Sequence, residues 1–176
     1  MKTIMALSGL AFVLAACTST FSQADCEAGD WRSIGDAEAG RGLPSEINRH
    51  IEACARYGVT PDRAAYEQGR QSGLQRYCTY NSGIFWGERG AKYSGVCPAA
   101  TETTFLQGYA FGTELRVANN YVSDAEDALE EARENRDRRS AREARQDLRD
   151  ARFRQDVLEE LNPRNPTSVS PFTGSQ

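Results

Sequence analysis

Few side chains in this sequence have types and spacings suited to chemistry on a substrate. His50 is the only histidine. It follows Ile47 by three residues, which puts it near the apolar face of a helix and suits a buried, hydrogen-bonded role better than proton transfer. Asp30, Asp36, Glu38, Asp62 and Glu67 could supply a carboxylate pair for glycoside hydrolysis, but any acidic chain offers such pairs. Serines occur without a G-x-S-x-G elbow, and no glycine run has a phosphate-loop or dinucleotide pattern. No catalytic residue is assigned. Recognition is better served, because Arg70, Arg76, Arg89 and Lys92 lie near Tyr77, Tyr80, Trp86 and Tyr93, a mixture suited to stacking on sugar rings or gripping an anionic partner. His50, Arg70, Tyr77, Trp86, Arg89 and Tyr93 are therefore the candidate binding residues. The competing reading makes those aromatics the core of a small domain.

The five cysteines carry the remaining chemistry. Lys2 supplies a minimal positive region, and the run from Ile4 to Leu14 is apolar but too short to span a bilayer as a mature helix. It ends in Leu14-Ala15-Ala16-Cys17, which resembles the bacterial lipobox. That resemblance implies a signal peptide over 1–16, a diacylated Cys17 at the mature N-terminus and a tether over 17–25. The alternative is an ordinary secretory peptide cut near Ala24. More than one acyl chain on one cysteine holds a protein stably, at about 0.8 kcal/mol per buried methylene. Thr18 stands where aspartate would signal inner-membrane retention, so the resemblance implies the outer membrane, facing the periplasm. Cys26, Cys54, Cys78 and Cys97 remain. An even number in an exported domain reads as two disulfides with three possible connectivities. A metal site is the weaker reading, since no CxxC pair exists and there is one histidine; neither metal nor cofactor is expected.

These groups need elements to position them. At 176 residues the chain has the length of one domain. Its net charge of −4 argues against nucleic acid as a partner, which would need concentrated cations. Asp25 to Leu43 reads as a turn plus a short helix with Trp31 inward. From Ser45 to Tyr57 a helix is expected, with Ser45 as cap, Ile47, Ile51 and Cys54 on one face, and Gly58 closing the end. Thr60-Pro61-Asp62 then starts another, capped by threonine with proline in its first turn. On it Tyr66, Gly69, Gly73 and Tyr77 share a face. Interior glycines cost about 1 kcal/mol each relative to alanine, so such a pair suggests close approach of another backbone. Phe105, Gly108 and Gly112 repeat the arrangement after Thr101, another expected cap, and Trp31, Gly35 and Gly40 echo it. Helices crossing at glycine-lined contacts account for this recurrence.

The Ser45 and Thr60 helices should run antiparallel, with Cys54 beside their turn and Cys78 at the far end of a helix of roughly 17 residues, about 25 Å away. A Cys54–Cys78 bridge is thus disfavoured, since alpha carbons must lie within about 7 Å. Of the two other connectivities, Cys26–Cys54 with Cys78–Cys97 closes the shorter loops and is preferred. The segment between Cys78 and Cys97 shows no helical period, with Asn81 to Gly83 as a turn, and is expected to be an ordered loop.

Past Arg116 the character changes. Asp124 to Leu161 carries acids and arginines throughout without glycine or proline, opposite charges recur at four-residue spacing, and Ser123 with Glu126 forms a capping-box pattern. Two short seams, Ala125/Leu129/Ala132 and Ala141/Ala144/Leu148/Ala151/Leu158, are out of phase around Asn135 to Ser140. One long helix is favoured over a hairpin folded at that slip. Residues 162–176, rich in proline and serine, are expected to be disordered.

Together, Trp31-x-x-Ile34-Gly35, His50-x-x-x-Cys54, Pro61-Asp62, Tyr66-x-x-Gly69-Arg70-x-x-Gly73-Leu74-x-x-Tyr77-Cys78-Thr79, Gly87-x-x-Gly90-x-x-Tyr93-x-Gly95-Val96-Cys97-Pro98 and Phe105-x-x-Gly108-Tyr109-x-x-Gly112 resemble the family called domain of unknown function 2799, over about 26–116. The resemblance implies a small proteobacterial envelope protein, often a lipoprotein, and no established activity, so it transfers no catalytic residue. Glu38-Ala39 departs from an Asp-Gly turn expected there. The expectation is therefore a mainly α chain: a disulfide-braced helical domain over 26–118 with an irregular glycine and aromatic loop, then a long charged helical or coiled-coil extension over 119–161. Its expected role is non-catalytic binding or adaptor work at the outer membrane, held through the N-terminal lipid, with an envelope protein or peptidoglycan as partner. The alternative is an envelope enzyme or an inhibitor of a wall-degrading enzyme.

Overall fold

The computed structural model describes residues 21–164, which form seven α-helices and no strand, three quarters of the described residues being helical. The expected signal peptide over 1–16, Cys17 and the segment 165–176 lie outside the described residues. In order the helices are α1 Gln23–Ala28, α2 Trp31–Gly40, α3 Ile47–Ala55, α4 Arg63–Tyr77, α5 Tyr80–Glu88, α6 Ala99–Glu134 and α7 Arg138–Glu160.

Glycine decides where the helices meet. A Cβ on Gly35 would lie 2.1 Å from the Tyr66 carbonyl oxygen, and one on Gly69 would lie 1.9 Å from that of Arg32. The backbones of α2 and α4 therefore touch directly. The same contact recurs between α5 and α6, where Gly83 faces the Phe105 carbonyl at 2.2 Å and Gly108 faces that of Tyr80 at 2.0 Å. Such approach brings Cα–H groups onto carbonyls and gains packing that larger residues would forbid. Each crossing is paired with one disulfide, Cys26–Cys54 or Cys78–Cys97, the preferred connectivity. The result is two similar units in tandem, each a cysteine, a glycine-bearing helix, a return segment with the second cysteine, and a second glycine-bearing helix.

Each unit has its own core. The first gathers Cys26, Trp31, Ile47, Cys54 and Tyr66, with Phe21, Ile34 and Ile51 around them. The second gathers Tyr77, Cys78, Cys97 and Phe105, with Trp86, Tyr93 and Tyr109. Because Phe21 packs on Trp31 at 5.7 Å and Ser22 with Asp25 forms a capping box on α1, the expected tether over 17–25 is shorter than drawn.

Several helix starts differ from expectation. Glu46 takes the cap position of α3 without a side-chain capping bond; the Tyr66 hydroxyl accepts its N–H at 2.9 Å and fixes the chain there, and Ser45 points to Glu67 instead. Asp62, not Thr60, caps α4 by accepting the Ala65 N–H at 2.9 Å, a carboxylate serving both the free N–H and the helix dipole. Pro98 precedes α6 as its cap residue, ahead of Thr101. Residues 91–97 are irregular as expected, but the first half of the expected loop, with the Asn81–Gly83 turn, is in fact α5, capped by Thr79. Its buried face consists largely of Gly83, Ile84 and Gly87, and glycine carries no hydrophobic signal. Glu38 and Ala39 stand in the last turn of α2, where the family pattern suggested a turn.

The charged stretch is a hairpin. α6 runs without a break from Ala99 to Glu134, through Ser123 and across the expected boundary at 118/119, and the chain reverses at Asn135–Asp137 so that α7 returns along it. Leu129, Ala132, Ala141 and Ala144 are buried between them, with Leu148 alongside, and Arg152 pairs with Glu126 at 2.7 Å. The arm beyond the second unit is thus about 30 Å long. Arg164, near the end of the described chain, pairs with Glu88 on α5.

Four helices end in one way. After α2, α3, α5 and α6 the chain passes through Gly42, Gly58, Gly90 and Arg136, all at positive φ, with two backbone N–H groups bonded back to the last turn, as from Arg136 to Arg133 and Asp137 to Ala132. Arg136 alone among the described residues adopts this conformation without being glycine. Left-handed backbone costs an ordinary residue roughly 1–2 kcal/mol, so Arg136→Gly is expected to stabilise the chain by about 1 kcal/mol in thermal denaturation. An unchanged or lower midpoint would show that the arginine side chain compensates for its backbone.

Candidate functional site

The buried ionisable groups of the first unit meet at one point. Glu38 on α2 and His50 on α3 are 9% and 8% exposed, and Glu38 Oε1 lies 2.8 Å from His50 Nε2. The other carboxylate oxygen accepts the Tyr66 hydroxyl of α4 at 2.5 Å, and that hydroxyl accepts the Glu46 N–H. A carboxylate taken out of water is tolerated only with such partners. Phe21, Trp31 and Tyr66 surround the imidazole at 4.7, 5.9 and 5.9 Å. Burial, then the bond to Glu38, pushes the Tyr66 phenol up from its usual range. The cluster ties three helices together, with its polar groups bonded to one another away from the surface. It acts as an internal lock. Tyr66→Phe leaves the Glu46 N–H and one carboxylate oxygen without this partner, so it is expected to cost about 1–3 kcal/mol in urea denaturation; a neutral substitution would show that the hydroxyl is dispensable.

The six sequence-selected binding residues do not form one surface. His50 belongs to this lock. Arg70 is buried beside it and donates to the Leu43 carbonyl at 3.1 Å, closing the α2–α3 connection. Tyr77, Trp86 and Tyr93 come together, but around Phe105 in the second core: Tyr77 stacks on Phe105 at 4.9 Å, Trp86 lies 5.9 Å from Tyr77, and Tyr93 packs on Phe105 at 4.9 Å. Tyr93 also accepts the Cys97 N–H and donates to Glu102. Only Arg89 is exposed, its guanidinium lying 3.4 Å from the centre of the Phe85 ring. The stacking surface expected from the sequence is therefore mostly core, and the four remaining cysteines are occupied in disulfides.

Burial pushes the Tyr77 phenol up to about 12, with Tyr93 and Tyr109 adding to it. A folded value above the unfolded one of about 10 means a contribution to stability that is complete below pH ~10 and lost as pH rises through about 12. Alkaline melts of the parent should fall across that window, and Tyr77→Phe should flatten the fall; equal slopes would show that Tyr77 is not the titrating group.

Open surface suited to a partner lies on the hairpin. A furrow of about 750 Å³ is lined by Thr113, Glu114, Val117, Phe153, Arg154 and Val157. It continues through Asp150 and Arg154 into one of about 570 Å³ lined by Tyr121, Asp124, Ala128 and Asp147, and toward the tip it reaches Glu131 and Glu143. Phe153 and Tyr121 are 71% and 54% exposed. No sequence reading singled out these residues, although Val117, Tyr121, Asp124, Ala128 and Glu131 repeat at alternating spacings of four and three. The stripe runs beside the buried seam on the same helix.

The family model described as Protein of unknown function (DUF2799) matches residues 30–114, the two units without most of the hairpin. No curated protein and no solved structure matches the chain.

Proposed function

The chain belongs over residues 30–114 to the DUF2799 family, and we propose that it is an outer-membrane lipoprotein acting by binding, with the disulfide-braced units as base and the α6–α7 hairpin as docking arm toward a partner in the periplasm. The observation that carries the binding role is the furrow: exposed Phe153, Tyr121, Val117 and Val157 gather on one face of an arm, and clustered exposed apolar groups mark interaction sites. Two disulfides suit an oxidising compartment, and Leu14-Ala15-Ala16-Cys17 supports lipid attachment there. The buried His50, held by Glu38, favours binding over an envelope enzyme.

Cross-linked affinity purification from intact cells should compare the parent with Tyr121→Glu/Phe153→Glu, which changes the furrow without cutting α6. Loss of a specific envelope partner or of peptidoglycan fragments in the variant is the expected result. Identical recovery from both would move recognition off the hairpin and overturn the docking arm. Fatty-acid labelling that Cys17→Ser does not abolish would overturn the lipid anchor.

A further inference from the structure

Between Arg142 and Arg152 the two flanks of α7 carry opposite charge. Every charged residue lining the furrow is acidic except Arg154. On the other side of the buried seam α7 carries Arg142, Arg145, Arg149 and Arg152, spaced by three and four residues and all exposed. The Arg152–Glu126 pair fixes that flank away from the furrow. The opposing stripes also sit at the same height, since Glu143, Asp147 and Asp150 alternate along α7 with these arginines.

We infer that the furrow of one copy receives the arginine flank of a second copy, so that hairpins stack side by side. This rests on the reading of the hairpin as a docking arm and names the occupant of its furrow. A sideways shift without sliding along the axis brings carboxylates opposite guanidiniums, which pair in bidentate geometry. The exposed rings of Phe153 and Tyr121 add faces on which guanidiniums stack, as Arg89 does on Phe85. Furrow against furrow would set mostly acid against acid and is disfavoured by repulsion. A contact between two different surfaces does not close on itself and extends to further copies. Attachment to one membrane would raise the effective concentration of the partners.

The test is sedimentation of the full chain carrying Cys17→Ser, over a range of concentrations at low and high ionic strength. At low ionic strength the average mass should climb past about twofold the monomer, and screening should return it to monomer. Asp147→Arg/Asp150→Arg gives two basic flanks and Arg145→Asp/Arg149→Asp gives two acidic ones. Each variant alone should be monomeric with unchanged helical circular dichroism, and an equimolar mixture should regain the parental assemblies. A parent that stays monomeric at low ionic strength overturns the inference, as does association that survives both reversals or a mixture that fails to reassociate. If the parent is monomeric but Tyr121→Glu/Phe153→Glu still loses its envelope partner, the docking arm stands and only its occupant is wrong.

Discussion

Gly69→Ala is expected to cost about 3 kcal/mol or more and to leave the first unit largely unfolded near physiological temperature. The new Cβ would fall 1.9 Å from the Arg32 carbonyl oxygen and 2.8 Å from its carbon. These are backbone atoms in the middle of a hydrogen-bonded helix, so no side chain can swing aside. Relief requires α2 and α4 to separate, which pulls Glu38 from Tyr66 and opens the core around Cys54 and Trp31. Gly108→Ala should act likewise on the second unit, through the Tyr80 carbonyl at 2.0 Å. Gly58→Ala provides the contrast. Its φ of +70° strains an alanine, but nothing lies within 4 Å, so about 1 kcal/mol is expected. Urea denaturation of the three variants distinguishes the mechanisms. If Gly69→Ala cost no more than Gly58→Ala, close approach would not be the reason for the interior glycines.

Loss of the disulfides is the second large effect. The Cys26–Cys54 and Cys78–Cys97 bridges join residues 28 and 19 positions apart, and in the chain-entropy model loops of that size contribute about 3.5 and about 3 kcal/mol. Against a typical total of about 5–15 kcal/mol, reduction of both should unfold most of the population. The consequences differ by unit. Cys26–Cys54 holds α1 and α3, of 6 and 9 residues, neither long enough to be stable alone nor part of a glycine crossing. Cys78–Cys97 ties the approach to α5 to the approach to α6, which already touch through Gly83 and Gly108. Replacing the first pair by alanine should therefore free α1 and α3 to hydrogen exchange while α5 and α6 stay protected. Uniform loss of protection would show that the two units fold as one, and an unchanged midpoint on reduction would remove the bridges from the stability account.

Much of the fold was legible because its determinants are local. Gly58 marked a helix end, and the aromatic-then-glycine recurrence predicted helices crossing at glycine, whereas Gly42 and Gly90, which end α2 and α5 in the same way, carried no such signal. The reversal after α6 was legible only as a phase slip between two seams, since Arg136 fills the position that glycine holds in the other three turns. α5 was missed for the opposite reason, its glycines reading as turn residues when they are contact residues. Helix length disfavoured one disulfide pairing and loop size preferred one of the other two, a choice that the packed chain bears out.

The candidate site was less legible. Tyr77, Trp86 and Tyr93 look the same in sequence whether they face a ligand or Phe105, because an aromatic at helical spacing reports burial and exposure alike. His50 could be assigned to a buried role from its place near Ile47 and Ile51, but its partner Glu38 lies on another helix and was one acid among many. By itself the sequence determined the helical class, the glycine contacts, the two bridges as the favoured pairing, and the family resemblance over about 26–116, all set by residues near one another or by spacings that repeat. Only the tertiary structure decided that α7 folds back on α6, that Glu38, His50 and Tyr66 form a lock, and that a furrow lined mainly by acids opens along one side of the hairpin. Those outcomes depend on which helix faces end up against each other, and that is a property of the packed chain.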